Sequence, residues 1–326
     1  TEFKTAYLQG FEEAWILFRL WDQSTKEWTY YWLTGPIYGQ QPAGNRWKFK
    51  VETETGKMDF VESKNAPSTY YRASDGTRMS IYVDDPLIAS KRDRTHGVAL
   101  TKQPFYDRLK ESFEFKDVTS LGGEATIDYL SMTMKAEGTD TVTLSNPKFV
   151  DKLVSNLGLD GCNSTKLPIT KELLREIAAE AEAGIYVGDT EHSAYRTTVG
   201  ELQWLAQTTH PDVAVAASLL SKRNSAPTPA CMRALKHMGR YLSGRRHQAL
   251  KYGIGDGTGL VVKSDSDLAG TYALDGETRS RIGVVVLYNG QVQVVHWLTK
   301  YIDTVVISSG EAEIHALSEA IKIGLH

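Results

Sequence analysis

Two adjacent carboxylates interrupt an apolar stretch at residues 79–90, MSIYVDDPLIAS. Short apolar segments on both sides of a polar pair are typical of two strands joined by a tight turn. Neighbouring like charges destabilise such a tip unless a positive charge lies beside them, and oxygen ligands at a rigid turn suit Mg²⁺ or Mn²⁺. The stretch therefore predicts a β-hairpin with Asp84 and Asp85 at its tip, either as a metal site or as a polar turn in water.

Composition limits the remaining possibilities. The chain has 326 residues, 41% hydrophobic and 24% charged, which excludes bulk disorder and allows about two domains of ~150 residues. A net charge of −3 means that any nucleic-acid binding must rest on local basic patches. Because no long apolar run or signal peptide is evident and there are only two cysteines, we expect an intracellular protein, in cytoplasm or nucleus, without a membrane span.

Several segments have helical periodicity. Apolar residues spaced by four predict a helix over Gln103–Phe115. Asn146 as a cap, Pro147 in the first turn and Gly158 as a stop delimit another over 146–157. Lys171–Gly184 is helical but acidic, which favours a surface insertion near a domain boundary. Ser193–Arg246 is helical in pattern, with breaks at His210-Pro211 and near Pro227 and Pro229.

The last eighty or so residues change character. Four β-branched runs follow one another at Leu260–Lys263, Ile282–Tyr288, Gln291–Leu298 and Thr304–Ile307. Asn289-Gly290 stands where a two-residue hairpin turn is expected, and Ser309–Ile323 returns to helix. We expect three antiparallel strands followed by a helix, forming a separate α/β unit.

Further short motifs lie before and after the acidic hairpin. Residues 2–10 (EFKTAYLQG), Ile37-Tyr38-Gly39 with Ala43 and Trp47, and the tetrapeptide YVDD at 82–85 occur in this order, followed by Tyr195, Val199-Gly200, Leu202, Pro211-Asp212 and Arg240-Tyr241-Leu242. This series resembles the reverse-transcriptase blocks of copia-type (Pseudoviridae) LTR retrotransposon Pol polyproteins. Further on, Ser264–Asp267, Ser280, Gly283, Trp297, Lys300 and Ser308–Glu313 resemble the ribonuclease H (RNase H) domain of the same family.

The resemblance implies an α+β fold, a reverse-transcriptase palm, thumb and connection followed by a truncated RNase H-like mixed α/β domain. It implies a palm and thumb at residues 1–170 with the fingers missing. A helical connection with an acidic insertion would follow at 171–247, and a partial RNase H-like domain at 248–326.

The resemblance also implies two-metal phosphoryl transfer with Mg²⁺ or Mn²⁺ and an RNA or DNA template-primer as partner. The implied metal ligands and catalytic residues are Glu2, Asp84 and Asp85 for the polymerase and Asp265 and Glu313 for RNase H. Tyr7 would reject a ribose 2′-hydroxyl, core packing being its alternative role. Gly39, Gln41 and Tyr82 would contact the template or the incoming nucleotide.

A basic face is expected on the helix around residue 236. Arg233, Lys236 and Arg240 share one side, with Arg245 and Arg246 just beyond. Such a stripe could follow a nucleic-acid backbone or form an ordinary solvated face.

Departures from the family pattern occur at or next to the residues that the resemblance implies are catalytic or metal-binding. Glu2 replaces an Asp, Pro42 replaces a Gln and Pro86 follows the acidic pair, where it removes a backbone donor. The third and fourth RNase H carboxylates are not found before His326. Two functions stay open: a retroelement enzyme segment with weak or no catalysis, or a host-retained structural or interaction subunit without cofactor. We also expect a protein partner to cover the open sheet edge near Leu260–Asp265.

Overall fold

The computed structural model describes residues 17–32, 41–90, 102–115, 119–122, 125–138, 140–253, 259–271, 277–288, 290 and 293–325. The chain divides into two compact units, residues 1–120 and 121–326, and each is described by itself. Both combine helices with antiparallel sheets, which confirms the α+β class. The division at 170 and 247 into palm and thumb, connection and RNase H-like parts stays a prediction.

Within its described residues, the first unit contains two small sheets and two helices. Its elements are β1 (Leu17–Asp22), β2 (Glu27–Trp32), α1 (Ala43–Gly56), β3 (Phe60–Glu62), β4 (Thr69–Arg72), β5 (Arg78–Tyr82), β6 (Asp85–Ala89) and α2 (Lys102–Ser112). Strands β1 and β2 pair as a hairpin, and β3–β6 form a four-stranded antiparallel meander in chain order. The predicted hairpin over residues 79–90 and the helix over 103–115 are thereby confirmed.

One core holds the meander and both helices together. Trp47 and Val51 of α1 pack in one buried cluster with Met79 and Ile81 of β5 and with Leu109 of α2. The four-residue spacing in α1 and the alternate positions in β5 place these side chains on single faces. The hairpin that carries Asp84 and Asp85 is therefore anchored in the core of its unit.

The described part of the second unit contains a helical layer and two further sheets. Its elements are β7 (Thr126–Tyr129), β8 (Met132–Glu137), β9 (Thr141–Ser145), α3 (Pro147–Asn156), α4 (Lys171–Glu182), α5 (Asp189–Thr208), α6 (Ala214–Ser221), α7 (Pro229–Ser243), β10 (Ala249–Gly253), β11 (Leu260–Ser266), β12 (Arg281–Tyr288), β13 (Gln293–Tyr301) and α8 (Ser309–Leu325). One sheet has the order β10-β9-β8-β7 and the other the order β11-β12-β13. A 3₁₀ turn at Pro211–Val213 separates α5 from α6.

Helices α3 to α7 share a large apolar core. Pro147 opens α3 and Gly158 follows it with φ +67°, as predicted, but the Asn146 side chain makes no cap hydrogen bond. The acidic helix α4 packs on α7 through Ile177, which is 5% exposed. The acidic segment thus contributes to the core of its unit.

The terminal sheet confirms three antiparallel strands followed by a helix. Two details of the prediction are wrong. Tyr288 pairs with Gln293, so the connection holds four residues rather than the two of Asn289-Gly290. Residues 304–307 are not a strand: Ile302 still donates to the Ser280 carbonyl, but within the described residues the chain beyond it has no neighbouring strand to pair with. Backbone pairing, not β-branching alone, makes a strand.

Candidate functional site

The β5–β6 hairpin places Asp84 and Asp85 at its tip. Tyr82 pairs with Asp85, so only Val83 and Asp84 form the turn. Both aspartates are partly exposed, and Tyr82 beside them is 62% exposed. The turn thus presents two neighbouring carboxylates to solvent from a scaffold whose other end lies in the core.

Val83 adopts an unusual backbone conformation in this turn. Its φ is +52°, in the left-handed region that favours glycine at the first central position of a two-residue hairpin turn. A β-branched residue there is a genuine outlier and costs roughly 1–3 kcal/mol. Such strain persists only where the surrounding structure holds it.

Trp47 supplies a direct contact to this strained turn. Its indole Nε1 donates to the Val83 carbonyl at 2.9 Å, across 36 positions of sequence. The ring is 4% exposed and lies edge-on to Phe113, with centroids 5.6 Å apart. The helix α1 is thus hydrogen-bonded to the loop that carries the carboxylates.

Pro86 disrupts the strand pairing of the hairpin less than the sequence suggests. In a two-residue hairpin the flanking pair Tyr82 and Asp85 is hydrogen-bonded, so the next pair, Ile81 with Pro86, is not. The Ile81 amide accordingly donates to Ser68, on the other side. Because β6 is an edge strand, the missing Pro86 donor would have faced outward, where proline is tolerated.

The donor set at the tip fits a hard divalent cation. Two carboxylates with room for water and substrate phosphates are what Mg²⁺ and Mn²⁺ commonly use. Within the described part of the chain, no three His, Cys, Asp or Glu side chains converge as a ready-made metal cluster. Any third protein ligand for this tip must therefore come from elsewhere, and Glu2 lies outside the described residues.

The predicted nucleotide-contacting residues are only partly visible. Tyr7 and Gly39 lie outside the described residues. Gln41 is exposed in the turn before α1, and Pro42 is the residue that caps this helix. Tyr82 is exposed beside the acidic tip, where a ligand could reach it.

The predicted RNase H pair lies on two neighbouring elements of the second unit. Asp265 lies on the edge strand β11, pairs with Gly283 of β12 and is exposed. Glu313 is exposed on α8, which packs on β11 and β12 through Ala312 and Ala316. Neither belongs to a group of three potential metal ligands among the described residues.

Asp267 of the same Ser-Asp-Ser-Asp motif has a structural role. Its carboxylate accepts from the Arg281 amide at 2.8 Å, and its own amide donates to the Arg281 carbonyl. A Cβ at Gly270 would lie 2.5 Å from the Asp267 carboxylate. The motif therefore contains one exposed carboxylate, Asp265, and one that closes the β11–β12 connection.

Acidic partners engage several residues of the predicted basic stripe. Arg233 forms ion pairs at 2.8 Å with Glu176 and Glu180 of α4. Arg246 pairs with Asp151, and Arg245 lies over the ring of Tyr241. Lys236 and Arg240 are exposed on α7. Binding of a nucleic-acid backbone by these residues stays a prediction.

Three aromatic residues of the motifs form hydrogen bonds that connect different elements of the second unit. Tyr195 donates to the Leu220 carbonyl at 2.8 Å, Tyr241 to the Asp212 carboxylate at 2.6 Å, and the Trp297 indole to the Ala206 carbonyl at 2.6 Å. Burial and then the Asp212 hydrogen bond raise the pKa of Tyr241 to about 12. These contacts join α5 to α6, α7 to the 3₁₀ turn and β13 to α5.

A cationic cluster around Tyr301 has no signal in the sequence. The Arg281 guanidinium, 7% exposed, and the Lys222 ammonium each lie 4.1 Å from the Tyr301 ring centroid. Arg281 also donates to the hydroxyl oxygens of Ser218 and Thr299. Burial acts to raise the pKa of Tyr301, but hydrogen bonds from Lys222 and other neighbours outweigh it and leave the pKa below its ordinary value. The cluster unites distant segments that periodicity cannot connect.

A cleft of about 740 Å³ opens in the second unit between the loop after α3 and the end of α7. Its lining includes Asp151, Cys162, Gly244 and Arg246. Of the predicted site residues that the structure describes, only Arg246 borders it. Among the described helices, none is long and apolar enough to cross a membrane.

Comparisons with known proteins agree with the resemblance to retrotransposon Pol proteins. The chain is 26% identical over 299 residues to the transposon Ty5-1 protein YCL074W of Saccharomyces cerevisiae, covering 90% of this chain and 89% of that protein. It is 25% identical over 296 residues to the retrovirus-related Pol polyprotein from transposon TNT 1-94 of Nicotiana tabacum. That match covers 89% of this chain but 21% of the polyprotein.

A third relative is more similar over a shorter stretch. The secreted RxLR effector protein 161 of Plasmopara viticola is 39% identical over 127 residues, which is 39% of this chain and 85% of that protein. No protein-family model matches. The two matches over about nine-tenths of the chain carry the assignment, and the chain is a retrotransposon Pol-type protein, as its copia-type motifs predict.

Proposed function

We propose that this chain is the reverse transcriptase and RNase H segment of a retroelement Pol protein, with Asp84 and Asp85 as the metal-binding point of the polymerase. The observation that carries the proposal is the two-residue turn presenting both carboxylates from a core-anchored hairpin. The matches to Pol-type proteins over about nine-tenths of the chain support it.

The chemistry follows from the donor set. Asp84 and Asp85 would hold Mg²⁺ or Mn²⁺, which supplies charge neutralisation to phosphate oxygens and activates a primer 3′-hydroxyl. Tyr82, exposed beside the pair, would contact the template or the incoming nucleotide. Glu2 would complete the ligand set, as the family pattern implies.

We propose that catalysis in this chain is weak or absent. Glu2 adds a methylene where a ligand must be held to about 0.5 Å. Asp265 and Glu313 are proposed as RNase H ligands, yet both are exposed and no three-residue ligand cluster includes them in the described regions. Pro86 does not contribute to this loss, because it costs no ladder hydrogen bond.

The proposed nucleic-acid partner is an RNA or DNA template-primer. All five residues of the basic stripe are exposed, but Arg233 and Arg246 have acidic partners that a phosphate backbone would need to displace. The stripe would therefore contribute modestly to affinity. An intracellular compartment remains part of the proposal.

A second candidate function is a host-retained interaction subunit without catalysis or cofactor. The match to the secreted RxLR effector protein 161 favours it, because that protein consists largely of a segment similar to part of this chain. The open edge of β11 and the exposed side chains of Ile314, Leu317 and Ile321 on α8 offer a surface for a protein partner. In such a complex, amide hydrogen exchange over residues 260–265 should be slower than in the isolated chain; equally fast exchange in both would contradict this surface.

Primer extension on an RNA template distinguishes the two functions. We expect any activity of the parent with Mg²⁺ or Mn²⁺ to be lost in Asp84→Asn and in Asp85→Asn and kept in Asp107→Asn, an exposed aspartate of the same unit. That pattern supports the enzyme segment. A parent that stays inactive even with Glu2→Asp supports the interaction subunit.

A further inference from the structure

We propose that Trp47 is a positioning residue for the acidic tip, fixing through the Val83 carbonyl the turn on which Asp84 and Asp85 stand. This inference rests on the proposed function of the tip as a metal-binding point. It concerns a buried residue that would act on the two carboxylates through the backbone of the turn.

The turn needs an external hold. The pairing of Tyr82 with Asp85 confines the chain reversal to two residues, and Val83 has φ +52° in this turn. Turns with a positive φ at the first central residue are the ones that two-residue hairpins favour. This conformation is strained for valine, so the turn would relax toward ordinary backbone angles unless something held it. Such a relaxation would rotate the following peptide and both carboxylates. Metal ligands must be held within about half an ångström, so this relaxation matters for binding.

Trp47 is suited to provide that hold. A buried indole N–H requires an acceptor, and the one it contacts is the carbonyl of the strained residue itself, at 2.9 Å. The edge-on contact with buried Phe113 and the position on α1 fix the direction of the N–H. The hydrogen bond therefore comes from a rigid donor and constrains the turn from the core side.

Two substitutions separate this role from packing. Trp47→Phe removes the donor while keeping an aromatic ring beside Phe113. Val83→Gly removes the strain that the hydrogen bond opposes, so it should restore much of what Trp47→Phe loses. A purely packing role for Trp47 predicts no such rescue, because the glycine adds no contact.

The readout is Mn²⁺ binding to the whole chain, measured by electron paramagnetic resonance, together with amide exchange over residues 79–89. We expect Trp47→Phe to weaken Mn²⁺ binding about tenfold and to speed exchange at Asp84 and Asp85. Val83→Gly in the same chain should recover binding to within about threefold of the parent. Trp28→Phe, on the exposed β1–β2 hairpin, is the matched control and should change neither quantity.

The outcomes separate the two proposals. If Asp84→Asn leaves Mn²⁺ binding unchanged, the proposed metal function fails, while exchange at the tip still tests Trp47. If Asp84→Asn abolishes binding but Trp47→Phe leaves both readouts as in the parent, the positioning role is overturned.

If the Trp47 variant does not fold, a measurement on the parent protein still tests the inference. With ¹⁵N-labelled tryptophan, one exchange-protected indole N–H should be broadened by Mn²⁺ in the parent and not in Asp84→Asn. If Mn²⁺ binds the parent but no indole signal responds, the inference is overturned.

Discussion

The Tyr241 hydroxyl donates a 2.6 Å hydrogen bond to the Asp212 carboxylate, which also accepts from Gln248 at 3.0 Å. Two motifs that lie about thirty positions apart, Pro211-Asp212 and Arg240-Tyr241-Leu242, are thereby one structural unit. The bond connects the 3₁₀ turn after α5 to α7 and involves no candidate metal ligand. Part of the sequence resemblance thus reflects packing of the helical layer rather than chemistry.

Removing this hydroxyl should destabilise the second unit. Tyr241→Phe deletes a hydrogen bond to a carboxylate that is partly buried, which typically costs about 1.5–3 kcal/mol. Urea denaturation followed by circular dichroism measures the loss. Tyr288→Phe, at an exposed tyrosine, is the control and should change the free energy of unfolding by less than about 0.5 kcal/mol. Equal effects in both variants would refute the role of the bond.

Alkaline pH should reduce stability through the same residue. Burial and then Asp212 raise the pKa of Tyr241 to about 12, against about 10 in an unfolded chain. The folded state therefore keeps the phenol protonated, and its contribution is complete below pH 10 and lost as pH rises from 10 to 12. Unfolding free energies measured from pH 9 to 11.5 should fall less in Tyr241→Phe than in the parent. Parallel pH profiles would contradict this linkage.

Acid should destabilise the second unit through His210. This side chain is fully buried, with Nδ1 2.8 Å from the Thr209 hydroxyl, and burial lowers its pKa although Asp212 acts in the opposite direction. Because the folded pKa lies below the unfolded value of about 6.5, the stabilisation is complete above pH 6.5 and is lost as pH falls below it.

One such group contributes at most about 1.4 kcal/mol per pH unit. His210→Gln should remove that part of the slope between pH 6.5 and 5, as measured by thermal unfolding. A slope that is unchanged in this variant would show that other groups cause the acid sensitivity.

Two glycines with equally open surroundings should respond in opposite directions. Gly200 lies inside helix α5 and Gly158 follows α3 with φ +67°, and a Cβ at either would meet nothing within 4 Å. Gly200→Ala should stabilise the protein by up to about 1 kcal/mol, because alanine loses less backbone entropy in a helix. Gly158→Ala should destabilise it by about 1 kcal/mol through its left-handed backbone. Thermal unfolding of both variants tests this, and the same sign in both would count against it.

Pro86 should be nearly neutral. Its nitrogen faces the open side of the edge strand β6, so Pro86→Ala restores a donor that no neighbouring strand of the meander uses. We expect primer-extension activity to stay within about threefold of the parent under identical metal conditions. A large gain in activity would contradict this and show that Pro86 weakens catalysis.

The hairpin and its acidic tip were predictable because strand periodicity and turn position are local properties. The same holds for α2, α3 and the order of three strands and a helix in the terminal unit, where side-chain spacing within a dozen residues decides the outcome. The failed details, residues 304–307 and the turn at 289–290, depended instead on whether a partner strand was present and in which register it paired. A run of residues carries no information about either.

The sequence by itself determined which carboxylates are neighbours at the Asp84–Asp85 turn and which family order the motifs follow, since both are properties of linear position. Only the tertiary structure decided that Trp47 reaches Val83, that Arg233 has two glutamate partners and that Asp267 closes a loop while Asp265 faces solvent. These outcomes depend on distances between residues that are far apart in sequence, and hydrophobic burial fixes such distances only when whole helices and sheets pack together.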